Sequence, residues 1–332
     1  MKRPLTILAL TASIALAAAA CGTTNADAVR DDGSVNLSEV TLVVGDQKGG
    51  SEALLGAAGE LEDVEYDIEF KPFTSGPPLL DAVSSNAVNI GGVGNTPPLF
   101  AINESKDLKV VQGSEQSAEG DAIVVPKDSD LRSVEDLKGK KVAVAKGSSA
   151  NFNLLAQLAA SGLGWDDIEP VFVQPAEGLA AFKGGHVDAW AIWDPFTSQA
   201  ELDVDAHVLS SGKGLVNGLV FQVASDAALE DDATRAAIED YLARIARAQV
   251  WTNENPDVWA KRWAEDTGLP VEVTERAISR RSFTPIAVPD AVESEQEMWD
   301  AFAEQGQVDG DPDLTDYFVD TFDAAVLEAA RQ

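Results

Sequence analysis

From Val40 to about Ser225 the chain alternates short apolar, β-branched runs with stretches whose apolar positions recur at helical spacing. TLVVG (41–45) and YDIEFKPF (66–73) predict strands, and PPLLDAVSS predicts a helix behind them. VNIGGVG (88–94), a helix opening at TPPLFAI, and LKVVQG (108–113) complete a first series. A second series begins at DAIVVPKD (121–128), passes SVEDLKGK and reaches KVAVAKG (141–147). It continues through a helix near 150–161, PVFVQ (170–174), a helix near 176–183, DAWAIW (188–193), AHVLSSG (206–212) and GLVFQVAS (218–225). Strands alternating with helices build sheets covered by helices. The expected class is α/β, in two similar lobes, each a mainly parallel sheet with flanking helices. The crevice between such lobes, near the carboxyl ends of strands, is where a small ligand sits.

From Asp226 onward the strand signal disappears. ATRAAIEDYLARIARAQVWTNE (233–254), VWAKRWAEDTG (258–268), a segment around EVTERAIS, AVESEQEMWDAFAEQG (291–306) and LTDYFVDTFDAAVLEAA (314–330) carry helical spacing. Pro256, Pro270, Pro289 and Pro312 mark the breaks, so the tail is expected to be all helix.

The beginning of the chain follows a different pattern. Lys2 and Arg3 precede the apolar run LTILALTASIALAAAA, and small residues lead to Cys21. This is the layout of an export signal over residues 1–20, too short and wrongly flanked for a spanning helix. Cys21, the sole cysteine, stands directly behind three alanines, and the arrangement resembles a bacterial lipoprotein cleavage site with Cys21 as the lipid-bearing residue. Ala18 stands where leucine is usual, which leaves cleavage at an earlier alanine open. Residues 21–38 are polar, small and aperiodic, and are expected to form a flexible tether. The expected location is extracytoplasmic, with contact to the membrane through an N-terminal lipid only. With one cysteine, the chain forms no internal disulfide, so its core must hold it together.

Charge narrows the partners. Against 56 acidic residues stand 24 basic ones, a formal charge of −32. Such a field repels nucleic acid and anionic membrane surfaces. A small anion can still bind where local donors outweigh the global charge.

Catalytic signatures are sparse. The two histidines, His186 and His207, lie in unrelated turns, and no nucleophile elbow, metalloprotease motif or phosphate-binding loop occurs. Neither a metal nor a cofactor is expected. Short donors do gather where strands turn into helices. Ser75 and Gly76 in FTSGPPLL, Asn95 and Thr96 in GVGNTPPLF, and Ser148 and Ser149 in KGSSANFN occupy three such junctions. Each reads as a helix cap, and the free N–H groups and positive dipole end of a first turn also seat anions. In DAWAIWDP, strand alternation puts Trp190 and Trp193 on opposite faces. Trp193, which ends the strand, is expected to reach the cleft while Trp190 is core.

Together the stretches TSGPPLLDAVSSNAVNIGGVGNTPP, SAEGDAIVVPKDSDLRSVEDLKGKKVAVAKGSSANFNLLAQL and AAFKGGHVDAWAIWDPF resemble the aliphatic sulfonate-binding proteins of ABC importers, from about Val44 to about Arg281. Taurine-, nitrate- and thiamine-precursor-binding proteins share part of the pattern. The resemblance implies a type II periplasmic-binding fold, with residues 39–123 and 225–332 as lobe 1 and residues 124–224 as lobe 2. The helical C-terminal region would pack on lobe 1. It also implies a monomer that closes on a small sulfonate and docks on permease subunits. Carried over by motif, Gln47, Ser75, Gly76, Asn95, Thr96 and Glu119 would contribute from lobe 1 and its crossover. Gly147, Ser148, Ser149, Trp193 and Asp194 would contribute from lobe 2. Asn95 stands where the related motif often has aspartate, and the role of Lys48 in DQKGG stays open. Another small anion, a thiamine-pyrimidine precursor, a biosynthetic enzyme of the thiamine-pyrimidine-synthase type and a signalling receptor are the alternatives.

Overall fold

The structure, a computed structural model, describes residues 25–332. The expected export signal and Cys21 lie outside the described residues. The first series folds as β1 (Thr41–Gln47), α1 (Ser51–Ala58), β2 (Asp67–Phe73), α2 (Gly76–Ser84), β3 (Ile90–Gly94), α3 (Thr96–Asn103) and β4 (Leu108–Glu115). The second comprises β5 (Ala122–Val125), β6 (Lys141–Val144), α4 (Ser149–Ala160), β7 (Glu169–Phe172), α5 (Pro175–Lys183), β8 (Ala189–Ile192), α6 (Phe196–Val204) and β9 (His207–Ser211). Then follow β10 (Leu219–Ser225), α7 (Asp226–Glu230), α8 (Asp232–Glu254), α9 (Pro256–Thr267), α10 (Val271–Ile278), β11 (Thr284–Ile286), α11 (Val292–Glu304) and α12 (Asp323–Ala329).

These strands form two sheets, in the orders β11-β4-β10-β3-β1-β2 and β7-β6-β8-β5-β9. Both are mixed rather than mainly parallel. β1 is parallel to β2 and β3, whereas β10 runs antiparallel to β3 and β4, and β5 runs antiparallel to β8 and β9. The cause is connectivity: a strand arriving from the other lobe enters its sheet against the direction of the strands already there. GLVFQVAS thus belongs to the first sheet, inserted between β3 and β4, and the second crossover lies at 212–218 instead of at 224. The tail also departs from all helix. TPI forms an edge strand on β4, and Phe318 makes a lone parallel bridge to Val110 where a continuous helix was expected.

The tether is shorter than its composition suggested. From Asn25 the chain is docked on the first lobe: Asn25 Oδ1 accepts from the Thr41 N–H at 3.0 Å, and its Nδ2 donates to Thr234 Oγ1 at 2.9 Å. Ala28 is buried in the core beneath α8, whose Ala237, Ile238, Tyr241, Leu242 and Ile245 form its buried stripe at helical spacing. One pair of side-chain groups satisfied in both directions outweighs a polar composition.

Two crossovers join the lobes, at about 116–121 and 212–218, and their backbones are paired. Gln116 N–H donates to Gly218 O at 3.0 Å, and Gly212 N–H to Asp121 O at 2.8 Å. Gly218 has φ +66°, and a Cβ there would lie 2.1 Å from the Gln116 carbonyl oxygen, so only glycine fits. Asn217 anchors the second crossover: its Oδ1 accepts from Asn95 Nδ2 at 2.7 Å, and its Nδ2 donates to Glu295 Oε1 at 2.8 Å. Helix α11, which carries Glu295, also lays Phe302 against Phe100 of α3 and Phe152 of α4, so it touches both lobes.

Candidate functional site

A cavity of about 170 Å³ opens between the lobes. That is close to the roughly 150 Å³ that holds a benzene-sized molecule, so the ligand it fits is small. Its walls include the ends of β1, β3, β4 and β10, the first turns of α1, α2, α3 and α4, the end of β8 and the loop after α10.

At the α4 end, Ser148 caps the helix, accepting from the Asn151 N–H at 3.3 Å, and its own Oγ donates to the Ala145 carbonyl at 2.7 Å. The Gly147 N–H donates to Asn151 Oδ1 at 2.9 Å. The turn is thus held by its own side chains, and the positive N-terminal end of the helix opens on the cavity that Ser148 lines. Ser149 lines that cavity, and its Oγ donates to Asp121 Oδ1 at 2.7 Å. Burial pushes the Asp121 carboxyl up to about 6, although the Ser149 hydroxyl and the Arg281 charge favour its ionised form. Across the gap, a Cβ on Gly94 would stand 3.3 Å from Ser149 Cβ, so the bare strand β3 sets the width here.

Two cations face the same space. Arg281 donates from Nη2 to the Asp194 carbonyl at 2.9 Å, and its guanidinium lies 5.0 Å from the Trp263 ring centroid. Lys48 Nζ lies 5.7 Å from the Phe196 ring centroid, and burial lowers its pKa. Among the described residues, neither forms an ion pair with a carboxylate. Arg280, by contrast, is committed: it pairs with Glu201 and stands 3.6 Å from Asp194 Oδ2. That contact ties α6 of one lobe to the chain after α10 of the other. On the opposite rim, Thr74 Oγ1 and Ser75 Oγ both donate to Gln174 Oε1, at 3.0 and 2.8 Å.

Six residues singled out in the sequence line the cavity: Gln47, Gly76, Ser148, Ser149, Trp193 and Asp194. Trp193 packs edge-on to Phe196 at 6.2 Å, while Trp190 is buried in the second lobe's core. Asp194 accepts from both the N–H and the hydroxyl of Ser198, at 2.9 and 2.6 Å, so one of its oxygens caps α6. Ser75, Asn95, Thr96, Glu119 and Gly147 are not in the lining. Ser75 serves the Gln174 contact, and Asn95 serves the crossover. Thr96 donates to Asn95 Oδ1 at 2.9 Å, and Glu119 pairs with Lys213 at 2.6 Å, joining the two crossovers. Gly147, at φ +70°, packs on Phe100.

Sequence reasoning missed Asp46, Asp121, Arg281 and a set of buried glutamines. Asp46 accepts from the Ser51 and Glu52 N–H groups at 2.7 and 3.1 Å, capping α1, and burial pushes its carboxyl up to about 6. The sequence signal for Arg281 was the pair Arg280–Arg281, standing directly behind a helix in an acidic chain. The glutamines, on separate strands, gave no signal.

Two α/β lobes joined by paired crossovers around a small, cation-flanked cavity define an extracytoplasmic-type solute-binding protein. The chain belongs to the NMT1-like family, whose model matches residues 51–262, and it is similar to aliphatic sulfonate-binding proteins. It is 34% identical over 252 residues to a putative aliphatic sulfonates-binding protein of Escherichia coli, covering 75% of this chain and 78% of that one. Among solved structures, the alkanesulfonate-binding protein of Xanthomonas axonopodis pv. citri, bound to MOPS, superposes with TM-score 0.74 at 34% identity, covering 81% of this chain and 94% of that one. The periplasmic aliphatic sulphonate-binding protein of E. coli gives TM-score 0.74 at 32% identity, covering 84% and 92%. A desulfurization enzyme shares the fold alone, at 15% identity and TM-score 0.61.

Proposed function

We propose that the protein captures a small sulfonate between its lobes and delivers it to an ABC permease, held at the outer face of the membrane by lipid on Cys21. The observation that carries this reading is the convergence of Arg281, Lys48 and the first turn of α4 on one cavity of about 170 Å³. A sulfonate head is a compact anion with three acceptor oxygens. Helix N–H groups and a guanidinium that forms no ion pair with a carboxylate among the described residues match it. Trp193 and Phe221, both in the lining, offer apolar surface to the carbon stem. Arg280–Glu201 and Ser75–Gln174 bridge the lobes at opposite rims, so a bound ligand that draws the lobes together also strengthens these contacts. Binding, not catalysis, suits this set, because no histidine or cysteine is among the described residues that line the cavity.

A thermal-shift screen of the mature protein against ethanesulfonate, taurine, sulfate, nitrate and a thiamine pyrimidine tests the ligand class. A ligand at about 100 times its Kd adds about 2.7 kcal/mol of stability, so a true ligand raises the melting temperature visibly. Stabilisation by the short sulfonates is expected. Stabilisation by nitrate or the pyrimidine alone would overturn the sulfonate assignment.

A further inference from the structure

Beyond the α4 end, the cavity runs along the first sheet into a chamber walled by amides and hydroxyls. In the sheet register, Gly92 of β3, Gln222 of β10 and Gln112 of β4 lie in one row across three adjacent strands. All three line the cavity, together with Ser51, Ser114, Gln249 and Trp259. Gln112 is 1% exposed, yet neither its Oε1 nor its Nε2 has a hydrogen-bond partner. Gln222 is 7% exposed; its Oε1 also has none, and its Nε2 reaches only Ser51 Oγ, at 3.5 Å. The Trp259 indole N–H is likewise buried and unpaired. Gly92 keeps the row open, because a Cβ there would come within 3.0 Å of Gln222 Nε2. The pairing of β10 with β4 slips just after Gln222, the kind of irregularity that re-aims a side chain at a site.

Unpaired buried amides are costly, and a core built only for stability would place leucine there. Their donors and acceptors therefore await a ligand group. Gly94, beside Ser149 at the anion end, lies two residues along β3 from Gly92, roughly 7 Å away. A ligand of about two or three carbons spans that distance.

Resting on the sulfonate reading above, we propose that the Gln112–Gln222 row reads the distal end of the ligand and selects short sulfonates that end in a hydroxyl. Gln112 presents an unpaired donor and an unpaired acceptor. A hydroxyl both donates and accepts, so it satisfies both; an ammonium only donates; a methyl group does neither.

Calorimetry on the mature protein with 2-hydroxyethanesulfonate, taurine and propanesulfonate tests this, since propanesulfonate carries methyl where the first carries hydroxyl. The hydroxylated ligand is expected to bind roughly 10-fold or more tightly than propanesulfonate. In Gln112→Met that preference collapses, with propanesulfonate bound at least as well as by the parent protein. Gln222→Met is the second variant, should the first fail to fold, and is expected to narrow the preference likewise. Equal or tighter binding of propanesulfonate by the parent protein overturns the inference while leaving the sulfonate reading intact, and so does tightest binding of taurine. Absence of binding by all three overturns both.

Discussion

Glu295 is a carboxylate buried at 0% exposure, with Oε1 accepting from Asn217 Nδ2 at 2.8 Å and Oε2 unpaired. Burial pushes it up to about 8 from an ordinary 4.5, with the Asn217 bond only partly favouring the ionised form. A folded value above the unfolded one means stability that is full below the unfolded value and lost as pH rises through the folded one. At about 1.4 kcal/mol per pH unit, the full loss is on the order of 5 kcal/mol between about pH 4.5 and about pH 8. Asp46 and Asp121, both raised to about 6, share the lower part of that window but add little above about pH 6.5. From about pH 6.5 to about pH 8.5, Glu295 alone should therefore remove about 2 kcal/mol. Glu295→Gln keeps the acceptor for Asn217 and cannot ionise. Melting curves across that interval should fall by about 4 °C or more further in the parent protein than in the variant, at about 2–4 °C per kcal/mol. Parallel curves for the two proteins would refute the buried-carboxyl reasoning.

Two further outcomes follow from the geometry. Gly218→Ala places a Cβ 2.1 Å from the Gln116 carbonyl in a left-handed backbone, so loss of about 3 kcal/mol is expected from strain plus the broken crossover bond; an unchanged chemical-denaturation midpoint would refute it. Cys21→Ser should shift the protein from the membrane fraction to the soluble extracytoplasmic fraction, and unchanged membrane retention would refute anchoring through Cys21.

How legible the fold was depended on how local its causes were. The strand–helix alternation and the cap at Ser148 are written in adjacent residues, and the structure has them; Ser75 stands at the start of α2 without a cap bond, its hydroxyl spent on Gln174, 99 positions further along the chain. What β10 does is not local: its pattern suits either sheet, and only its insertion between β3 and β4 makes the first sheet mixed. The edge strand Thr284–Ile286 is too short to show an alternation, and its existence depends on the free side of β4.

The site followed the same division. Trp193 was placed by alternation along one strand, and Ser149 by a junction visible in eight residues. The three hydroxyl-bearing junctions looked equivalent in sequence, yet α2 and α4 bring their singled-out residues Gly76, Ser148 and Ser149 into the lining, whereas α3 contributes only Pro97. Asn95 is turned away by Asn217, 122 positions further along the chain. Gln112 and Gln222 become neighbours only through strand pairing, so the row they form had no footprint in either segment.

On the proposed function, a sulfonate anion is held between α4 and Arg281. The most direct test is calorimetric titration of ethanesulfonate into the mature protein and into Arg281→Met. Hydrogen bonds to a charged group contribute about 1.5–3 kcal/mol, so the variant should bind roughly 10- to 150-fold more weakly. Equal affinity in the two proteins, or no binding by the parent, would contradict the account.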